Sequence, residues 1–356
     1  RGRVLAAVAA VAALAGAGLT AAVMAGTGAT GSAGSKALTT SEIARQVSPA
    51  LVDVNTTLGY QHGAAAGTGI VLTSSGEVLT NNHVIEGATA ITATDIGNGH
   101  TYRAKVVGYD EGDDVAVLQL QGASGLKTAA LGDSSAVSVG QKVVALGNAG
   151  GRGGAPSVAT GRVTGLNQAI TATDQGAATS ERLTGLIQTN AGIQAGDSGG
   201  PLLNRSGQVI GMNTAASSGF QFQGQSQSPT QAFAIPLGTA HSIAGRITAG
   251  QVTGGVHLGP TAFLGVGLVP ENQGAAQAGG QGAAISEVVP GAPAARAGLV
   301  PGDQIVSIGG HRVGSPSDVQ DTMVGYHPGN RVGVSWVDQA GQSHSATVTL
   351  ATGPAG

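Results

Sequence analysis

The sequence contains no cysteine, so no disulfide bond holds the fold and its stability must come from its core alone. Aromatic residues make up only 3% and charged residues only 10% of the 356 positions, whereas 41% are hydrophobic and 62 residues are glycine. This composition is typical of a β-rich structure with many turns, or of glycine-rich linkers. The length is sufficient for two domains, each with its own core.

Positive charge is also scarce. The chain has 16 Lys and Arg residues against 19 Asp and Glu residues, which gives a net charge of −3, and no stretch of sequence clusters the positive ones. The chain therefore lacks the basic run of a nucleic-acid-binding protein, and we expect no nucleic-acid partner. It also lacks a His-Glu-x-x-His motif or a comparable cluster of His and carboxylate residues, which argues against a metallohydrolase.

An apolar segment stands near the start of the chain. Residues 4–25 carry no charge and are rich in Ala and Gly, and two arginines precede them. Such a segment is long enough to span a bilayer, which needs about 20 residues. Two interpretations stay open: residues 1–25 are a transmembrane anchor, with the rest of the chain facing outward, or a signal segment cleaved after Ala25, with the rest secreted. Residues 26–38, rich in Gly and Ser, predict a flexible linker.

Short strand patterns dominate residues 39–248, which we expect to form one domain. At its start, the spacing of Thr39 and Glu42 predicts a capping box for a short helix. Apolar runs punctuated by Gly, Asn and Asp predict strands at 51–54, 70–72, 78–80, 105–107, 115–120, 143–146, 158–163, 186–189 and 209–212. Many short strands with turn signals between them predict a mainly β domain, either a barrel or a sandwich. The run Ile235-Pro-Leu237 predicts the start of a helix that extends to Ile247 and closes the domain, since proline is tolerated in a first helical turn.

The most informative stretch runs from Gly196 to Pro201 and reads Gly-Asp-Ser-Gly-Gly-Pro. A serine hydroxyl becomes a good nucleophile only when a base takes its proton, and N–H donors must face the oxygen that becomes negative in the transition state. Glycines let the backbone turn tightly and bring N–H groups close to a substrate. We therefore predict Ser198 as the nucleophile and the N–H groups of Gly196 and Ser198 as the oxyanion hole. The alternative is a Gly-rich turn with a chance serine.

A histidine and a carboxylate complete this constellation. His83 ends the run Thr-Asn-Asn-His that follows an apolar strand, and Asp114 directly precedes another apolar strand. The choice of Asp114 over its neighbours Asp110 and Asp113 depends on register with that strand. Taken alone, His83 fits an ordinary loop histidine and Asp114 an ordinary turn acid. The order His83, Asp114, Ser198 is that of chymotrypsin-like proteases, and the conjunction predicts a catalytic triad.

These motifs resemble those of the HtrA/DegP family of trypsin-like serine proteases, and most closely its exported actinobacterial members of the PepA type. The resemblance covers the chain from about residue 40 to its C-terminus. It implies a chymotrypsin-like fold of two six-stranded β-barrels, with His83 and Asp114 on the first, Ser198 on the second and the active site between them. Triad chemistry needs no metal or organic cofactor. Asp197 departs from the pattern, because many members carry Asn there, and no new N-terminus that could pair with it is visible.

The resemblance also locates a first substrate pocket, whose floor is the residue six positions before the nucleophile. The predicted lining residues are Gly192, Ile193, Thr214, Ala215, Ala232 and Ala234. No acid lies at the floor, so cleavage after Lys or Arg is not expected. Small and apolar lining favours small or medium apolar side chains such as Ala or Val.

Two further segments, residues 147–154 and 167–182, correspond to loops that help to order the active site in HtrA-type enzymes. Residues 147–154 are Gly-rich but lack the Gly-Lys-Ser/Thr ending of a phosphate-binding loop, and no helix pattern follows. We predict a mobile surface loop there. Residues 219–230, rich in Gln and Ser, predict a flexible loop beside the pocket wall.

A second domain follows a Gly-rich linker at 249–259. Residues 260–356 resemble a small α+β PDZ domain, through the run Phe263-Leu264-Gly265-Val266 and the run Pro-Gly-Asp at 301–303 before a strand. In PDZ domains the N–H groups of the first run bind a peptide's C-terminal carboxylate while the peptide adds a strand to the sheet. The alternative for 263–266 is an edge strand without a ligand.

The sequence thus predicts an exported serine endopeptidase of the HtrA type. Its expected substrates are unfolded or damaged polypeptides cleaved after small or medium apolar residues, with peptide C-termini bound at the PDZ domain. Membrane contact follows only if the N-terminal segment stays uncleaved, and the resemblance allows a homo-oligomer because HtrA proteins often form trimers. The alternative function is a chaperone or peptide-binding module, tethered to the envelope, with a silent protease site.

Overall fold

The structure is a computed structural model. It describes residues 37–60, 63–173, 180–214, 231–270 and 282–355. The predicted anchor or signal segment at 1–25 and the predicted loop at 219–230 lie outside these ranges. Among the residues that are described, no helix has the length and apolar character needed to cross a membrane.

The domain begins with helix α1 (Thr40–Val47), and the predicted capping box is confirmed. The Thr39 hydroxyl accepts the Glu42 N–H at 3.2 Å, and the Glu42 carboxylate accepts the Thr39 N–H at 2.7 Å. Both bonds satisfy N–H groups that have no partner within the first helical turn. The helix buries Ile43 and Val47 against the core, so its position relative to the barrels is set by apolar packing.

Six antiparallel strands close into a first barrel. They are β1 (Leu51–Leu58), β2 (Gly63–Val71), β3 (Glu77–Thr80), β4 (Ala90–Asp95), β5 (Thr101–Asp110) and β6 (Val115–Leu120). Their order is β5-β4-β1-β2-β3-β6, and pairing of β5 with β6 closes the sheet. A one-turn helix, α2 (Asn82–Ile85), follows β3 directly. The predicted strand at 115–120 coincides with β6, whereas the sequence patterns did not locate β4.

A second closed barrel follows. Its strands are β7 (Lys142–Gly147), β8 (Ser157–Thr173), β9 (Ser180–Thr189), β10 (Pro201–Leu203), β11 (Val209–Thr214) and β12 (Ala232–Pro236). They are ordered β10-β11-β12-β9-β8-β7. Helix α3 (Leu237–Thr248) then packs on both barrels, because one apolar cluster contains residues of α1, α3 and both sheets. The shared cluster holds the two barrels side by side, so loops from each can meet at one site.

The segment predicted as a linker at 249–259 contains a strand, β13 (Val256–Leu258). It pairs antiparallel with the second half of β5, from Gly108 to Asp110. The strand forms because Val256 and His257 are both buried there and the edge of β5 offers unpaired backbone groups. Part of the predicted linker is therefore fastened to the first barrel.

The C-terminal domain is a small sheet with two short helices. Its elements are β14 (Ala262–Phe263), β15 (Val266–Leu268), β16 (Ala283–Val288), α4 (Pro293–Ala297), β17 (Gln304–Ile308), β18 (His311–Arg312), α5 (Pro316–Val324), β19 (Arg331–Val337), β20 (Ser343–Thr349) and β21 (Ala351–Thr352). The main sheet runs β15-β16-β17-β19-β20, and β14 pairs with β21. A separate apolar cluster, which includes Ile305 and Trp336, forms its core.

This C-terminal domain packs against the first barrel through aromatic and histidine rings. The His257 ring lies 4.9 Å from the Tyr109 ring, and its Nδ1 lies 2.9 Å from the Val324 carbonyl oxygen at the end of α5. Nearby, the Tyr60 and Phe263 rings stack at 4.9 Å. Tyr109 is the second-last residue of β5, shortly before the turn that carries Asp114, so the domain contact adjoins the candidate site.

Candidate active site

Asp114 lies at the centre of the site and is 1% exposed. Its carboxylate accepts the backbone N–H of His83 at 3.0 Å, and His83 Nδ1 lies 2.9 Å from its Oδ2. The Thr214 hydroxyl, from β11 of the second barrel, donates to the same Oδ2 at 2.7 Å. A carboxylate held in this way orients the imidazole with Nδ1 protonated, and it stabilises the imidazolium when the ring takes a second proton.

The turn before β6 presents Asp114 towards His83. Asp114 has a left-handed φ of 53°, and its N–H donates to the Glu111 carbonyl at 3.1 Å. On the other side, the Asn81 side-chain amide donates to the Asp114 carbonyl at 3.0 Å, which ties the turn to the start of α2. Asp113 is exposed, and the Asp110 carboxylate lies 3.6 Å from Arg246 instead. Of these three aspartates, Asp114 is therefore the one that contacts His83.

Ser198 lies in a tight loop between the barrels that depends on two glycines. Gly196 and Gly199 have φ values of +94° and +82°, a region that favours glycine. A side chain at Gly196 would overlap the Asn148 carbonyl, and one at Gly199 would overlap the Thr68 carbonyl. The motif therefore requires glycine for the shape of the backbone, independently of any catalytic role.

The peptide between Ala195 and Gly196 is fixed from outside the loop. The Ala195 carbonyl accepts the Gly150 N–H at 2.7 Å. In a trans peptide the N–H points away from the C=O, so the Gly196 N–H is directed away from Gly150. Across the described ranges, the N–H groups of Gly196 and Ser198 donate to no protein acceptor. Both predicted oxyanion-hole donors are thus available to a ligand.

Thr68, in the middle of β2, joins the first barrel to the Ser198 loop and was not predicted from the sequence. Its N–H donates to the Ser198 carbonyl at 2.8 Å, and its hydroxyl donates to the Gly196 carbonyl at 2.8 Å. The same hydroxyl accepts the Asn148 N–H at 2.8 Å. Thr68 is fully buried. The available sequence signal was a hydroxyl between two glycines, Gly67 and Gly69, in an otherwise apolar strand.

Gly67 brings the histidine segment and the serine loop together. A Cβ at this position would lie 2.7 Å from the Val84 side chain and 3.2 Å from the Ser198 carbonyl oxygen. Val84 directly follows His83 in α2. The glycine therefore permits a close approach between the one-turn helix that carries the histidine and the loop that carries the serine.

Asp197 is held by two hydrogen-bond partners within its own barrel. Its Oδ1 accepts the Ser157 hydroxyl at 2.7 Å, and its Oδ2 accepts the Gln194 N–H at 2.8 Å. The side chain is 2% exposed, and this burial raises the pKa of the Asp197 carboxyl above its ordinary value, against the effect of the two hydrogen bonds. Ser157 is a second contact that the sequence motifs did not indicate.

The Gly-rich segment at 147–154, predicted as a mobile surface loop, is tied down at several points. Besides the contact of Gly150 with Ala195, the Gly153 N–H donates to Asn148 Oδ1 at 2.7 Å. The Gly154 N–H donates at 3.0 Å to Asp53, a buried residue of β1, and burial raises the pKa of that carboxyl. The segment thus connects the first barrel with the Ser198 loop. The second loop predicted to order the site, 167–182, is only partly described, since 174–179 lie outside the described ranges.

The residues predicted for the substrate pocket have different environments. Ile193, Ala232 and Ala234 are buried in an apolar cluster of the second barrel. Gly192 is exposed and has open space where a side chain would project. Thr214 contacts Asp114, as described above, and Ala215 lies outside the described residues.

A cleft of about 570 Å³ opens beside the Ser198 loop. Its lining residues are small or polar and include Asn55, Ala65, Ala66, Thr92, Gly151 and Gly196. Gly196 and its neighbour Ala195 lie in its wall, so the cleft adjoins the Ser198 loop. Within the described part of the chain, no three His, Asp or Glu side chains lie close enough together to hold a metal ion.

The run 263–266 of the C-terminal domain also has free backbone donors. The Leu264 and Gly265 carbonyls accept the N–H groups of Ala294 and Val289, at 2.9 and 3.0 Å. By contrast, no acceptor among the described residues takes the N–H groups of Leu264 and Gly265. Leu264 is buried in the domain core, and Val266 begins β15 at the sheet edge.

Comparison with known proteins identifies the family to which this chain belongs. A model described as the trypsin-like peptidase domain matches residues 67–212, and a PDZ domain model matches residues 285–325. The serine protease PepD of Mycobacterium tuberculosis is 32% identical over 88% of this chain and 66% of its own length. This chain belongs to the HtrA family of trypsin-like serine proteases with a PDZ domain.

Two further relatives extend the comparison. A DegP-like periplasmic serine endoprotease of Halomonas elongata is 34% identical to this HtrA-family chain over 81% of the chain and 56% of its own length. The chain thus spans between about half and two thirds of these curated relatives. A solved structure, the HtrA-type protease AlgW with a tripeptide, is 27% identical with a TM-score of 0.50 and covers 89% of this chain and 98% of its own.

Proposed function

We propose that the chain is a serine endopeptidase in which Ser198 is the nucleophile, His83 the general base and Asp114 the residue that orients His83. One observation supports this most directly. The buried Asp114 carboxylate contacts His83 Nδ1 of the first barrel and the Thr214 hydroxyl of the second. Two N–H groups of the Ser198 loop have no acceptor among the described residues. Membership of the HtrA family supports the same assignment.

In the proposed reaction, His83 Nε2 takes the Ser198 hydroxyl proton as the oxygen attacks a peptide carbonyl carbon. Asp114 stabilises the imidazolium that results, and the N–H groups of Gly196 and Ser198 stabilise the oxyanion. His83 then gives its proton to the leaving amine, and an acyl-enzyme remains on Ser198. A water molecule releases the acyl group by the same steps, with His83 again as base and then acid.

The proposed substrates are unfolded or damaged polypeptides cleaved after small or medium apolar residues. The exposed Gly192 offers no charge to pair with Lys or Arg, and the neighbouring Ile193, Ala232 and Ala234 are small or apolar. The open cleft beside Gly196 supports the binding of an extended chain. Peptide-library profiling tests this preference, and strong cleavage after Lys or Arg would contradict it.

For the PDZ domain we propose that the N–H groups of Leu264 and Gly265 bind the carboxylate of a peptide C-terminus, with Phe263 and Val266 beside them. These N–H groups have no acceptor in the described part of the chain, which supports this role. The solved relative described with a tripeptide agrees with peptide binding in the family. We further propose that the protein is exported, as its periplasmic relative is named, and that it forms homo-oligomers.

The deciding experiment is labelling with a fluorophosphonate, which reacts with an activated serine. The full chain and its Ser198→Ala variant are treated in parallel, with and without peptides that have free C-termini. We expect labelling of the wild type alone. If no condition labels the wild type, the serine protease assignment fails and the alternative, a chaperone or peptide-binding module, is favoured.

A further inference from the structure

Three cationic side chains that are distant in sequence converge on one cleft of the second barrel. The cleft has a volume of about 410 Å³, and Lys142, Arg162 and Arg205 all lie in its wall. Polar Thr40, Thr160 and Asn190 also line it, and no acidic residue does. The chain has only 16 Lys and Arg residues and a net charge of −3, so three cations around one cleft are a marked local excess of positive charge.

The sheet places two of these cations directly opposite each other. Lys142 begins β7 and is the cross-strand partner of Arg162 on β8. Directly opposed residues of an antiparallel pair point to the same face, and like charges in that arrangement destabilise the sheet. An anion bound between the two side chains would neutralise this repulsion.

The protein itself does not neutralise these charges. None of the ion pairs found in the described ranges involves Lys142, Arg162 or Arg205. The Arg162 guanidinium donates to the Gly140 carbonyl at 2.7 Å, which holds it in place without cancelling its charge. Arg205 Nε is buried and has no hydrogen-bond partner among the described residues. A buried donor without a partner is costly, so an acceptor supplied by a ligand would stabilise it.

The carboxylate nearest in sequence to the cleft belongs to Glu42, in the first turn of α1. Its Oε2 is engaged by the N–H and the hydroxyl of Thr39, each at 2.7 Å. This arrangement fixes Glu42 at the helix cap, and Glu42 is not among the residues that line the cleft. Thr40, which does line it, contributes a hydroxyl at the N-terminal end of the helix.

We propose that this cleft binds a phosphate group, in a soluble phosphorylated ligand or in an anionic lipid headgroup. Guanidinium groups match the tetrahedral oxygens of phosphate with paired N–H donors, and Lys adds a point charge. A diphosphate or phosphomonoester carries two or more negative charges and balances three cations better than a single carboxylate would. The site is separate from His83 and Ser198, so the proposal does not depend on protease activity.

The test measures binding of inorganic pyrophosphate to the full chain by isothermal titration calorimetry at low ionic strength. The variants are Lys142→Gln, Arg162→Gln and Arg205→Gln, and the control is Lys127→Gln, an exposed lysine that does not line the cleft. We expect binding to the wild type and the control, and affinity at least about tenfold weaker in each cleft variant. Because Lys142 is exposed, its variant keeps the fold even if a change at Arg205 does not.

A second arm distinguishes the two sources of phosphate. Vesicles of phosphatidylglycerol and of phosphatidylcholine are mixed with the wild type, the control and the Lys142→Gln/Arg162→Gln double variant. Any insertion of the N-terminal segment is common to all three, so only the difference between them is informative. Weaker binding of the double variant to anionic vesicles identifies a headgroup ligand, and pyrophosphate binding without that difference identifies a soluble one. Equal behaviour of all proteins in both arms, or no binding of pyrophosphate or anionic vesicles, would overturn the proposal.

Discussion

The two halves of the candidate site are held in different ways. On the first barrel, His83 and Asp114 are joined by short bonds that involve a buried carboxylate, and the turn that presents Asp114 belongs to the same sheet. On the second barrel, the Ser198 loop is held mainly through its backbone carbonyls. Thr68 of the first barrel binds two of these carbonyls, and Gly150 of the Gly-rich segment binds a third.

This difference indicates where the site is robust and where it depends on its surroundings. Breaking the His83–Asp114 pair removes a charged interaction at the proposed general base. For the Ser198 loop, in contrast, we expect that loss of a hydrogen bond from Thr68 or Gly150 changes the direction of the proposed oxyanion donors. We therefore expect substitutions at His83 or Asp114 to lower kcat most. Substitutions that remove a hydrogen bond to the Ser198 loop should lower kcat less.

The largest expected effect is that of Asp114→Asn. An amide nitrogen facing His83 Nδ1 donates a proton to it, so Nε2 carries the hydrogen and does not accept the proton of Ser198. We expect kcat for a peptide substrate to fall by roughly 10⁴-fold with little change in KM. The control is Asp113→Asn, because Asp113 is exposed and adjacent. Equal kcat values for the two variants would remove Asp114 from the proposed triad.

Thr68→Val tests the other half of the comparison. Valine has nearly the same shape but removes both the donor to the Gly196 carbonyl and the acceptor of the Asn148 N–H. We expect a loss of about 10- to 100-fold in kcat, somewhat less than the loss of one oxyanion donor, which costs about 10²–10³. Thr68→Ser keeps the hydroxyl and should retain most of the activity.

Inhibitor binding distinguishes a role of Thr68 in positioning the oxyanion donors from a role in stability alone. Boronate inhibitors form a tetrahedral adduct that uses the oxyanion hole, whereas ground-state peptides do not. Thr68→Val should weaken boronate binding by the same factor as kcat while peptide KM stays nearly constant. If the variant binds boronates normally, the role of Thr68 is confined to stability.

Features that are local in sequence could be predicted, whereas contacts between residues distant in sequence could not. Residues 115–120 form an apolar run between turn signals, and the strand has those bounds. Gly196, Asp197 and Ser198 are adjacent, so the motif was visible. Thr68 binds residues that are 80 and 128 positions away. An isolated hydroxyl carries no period or spacing, so tertiary contacts of this kind leave no pattern for sequence analysis.

Folding also creates features that contradict local composition. Gly and polar residues around 249–259 predicted a linker, but Val256 and His257 find the free edge of β5 and become buried. Lys142, Arg162 and Arg205 form no cluster in sequence, yet the barrel brings them to one cleft. In both cases the position of these residues depends on the strand with which they pair, and the local sequence does not specify that strand.

Thr214→Val tests a contact of the second barrel with Asp114. Thr214 was predicted to line the substrate pocket, and its hydroxyl donates to Asp114 Oδ2 at 2.7 Å. Losing this bond leaves a buried carboxylate oxygen with one fewer donor, and we expect kcat to fall about tenfold. If Thr214 acts only as a pocket wall, peptide profiling will show a changed side-chain preference while kcat for the best peptide is unchanged.

The smallest expected effect is that of Asp197→Asn, which changes stability rather than chemistry. Burial raises the pKa of Asp197 in the folded state above the ordinary value of 3.8. As pH rises from about 4 through the raised pKa, the unfolded chain loses this proton first, so the free energy of unfolding of the wild type falls over that window. Asparagine does not titrate, and its amide can donate to Ser157, whose hydroxyl then donates to the Gly147 carbonyl at 2.9 Å.

Asp197→Asn should therefore gain stability relative to the wild type as pH rises, by about 1.4 kcal/mol for each unit by which the pKa is raised, and the difference should become constant above the raised pKa. Urea unfolding of both proteins at a series of pH values between 4 and 8 measures it. A pH-independent difference would show that the pKa of Asp197 is not raised in the folded state, in which case its hydrogen bonds from Ser157 and Gln194 offset its burial.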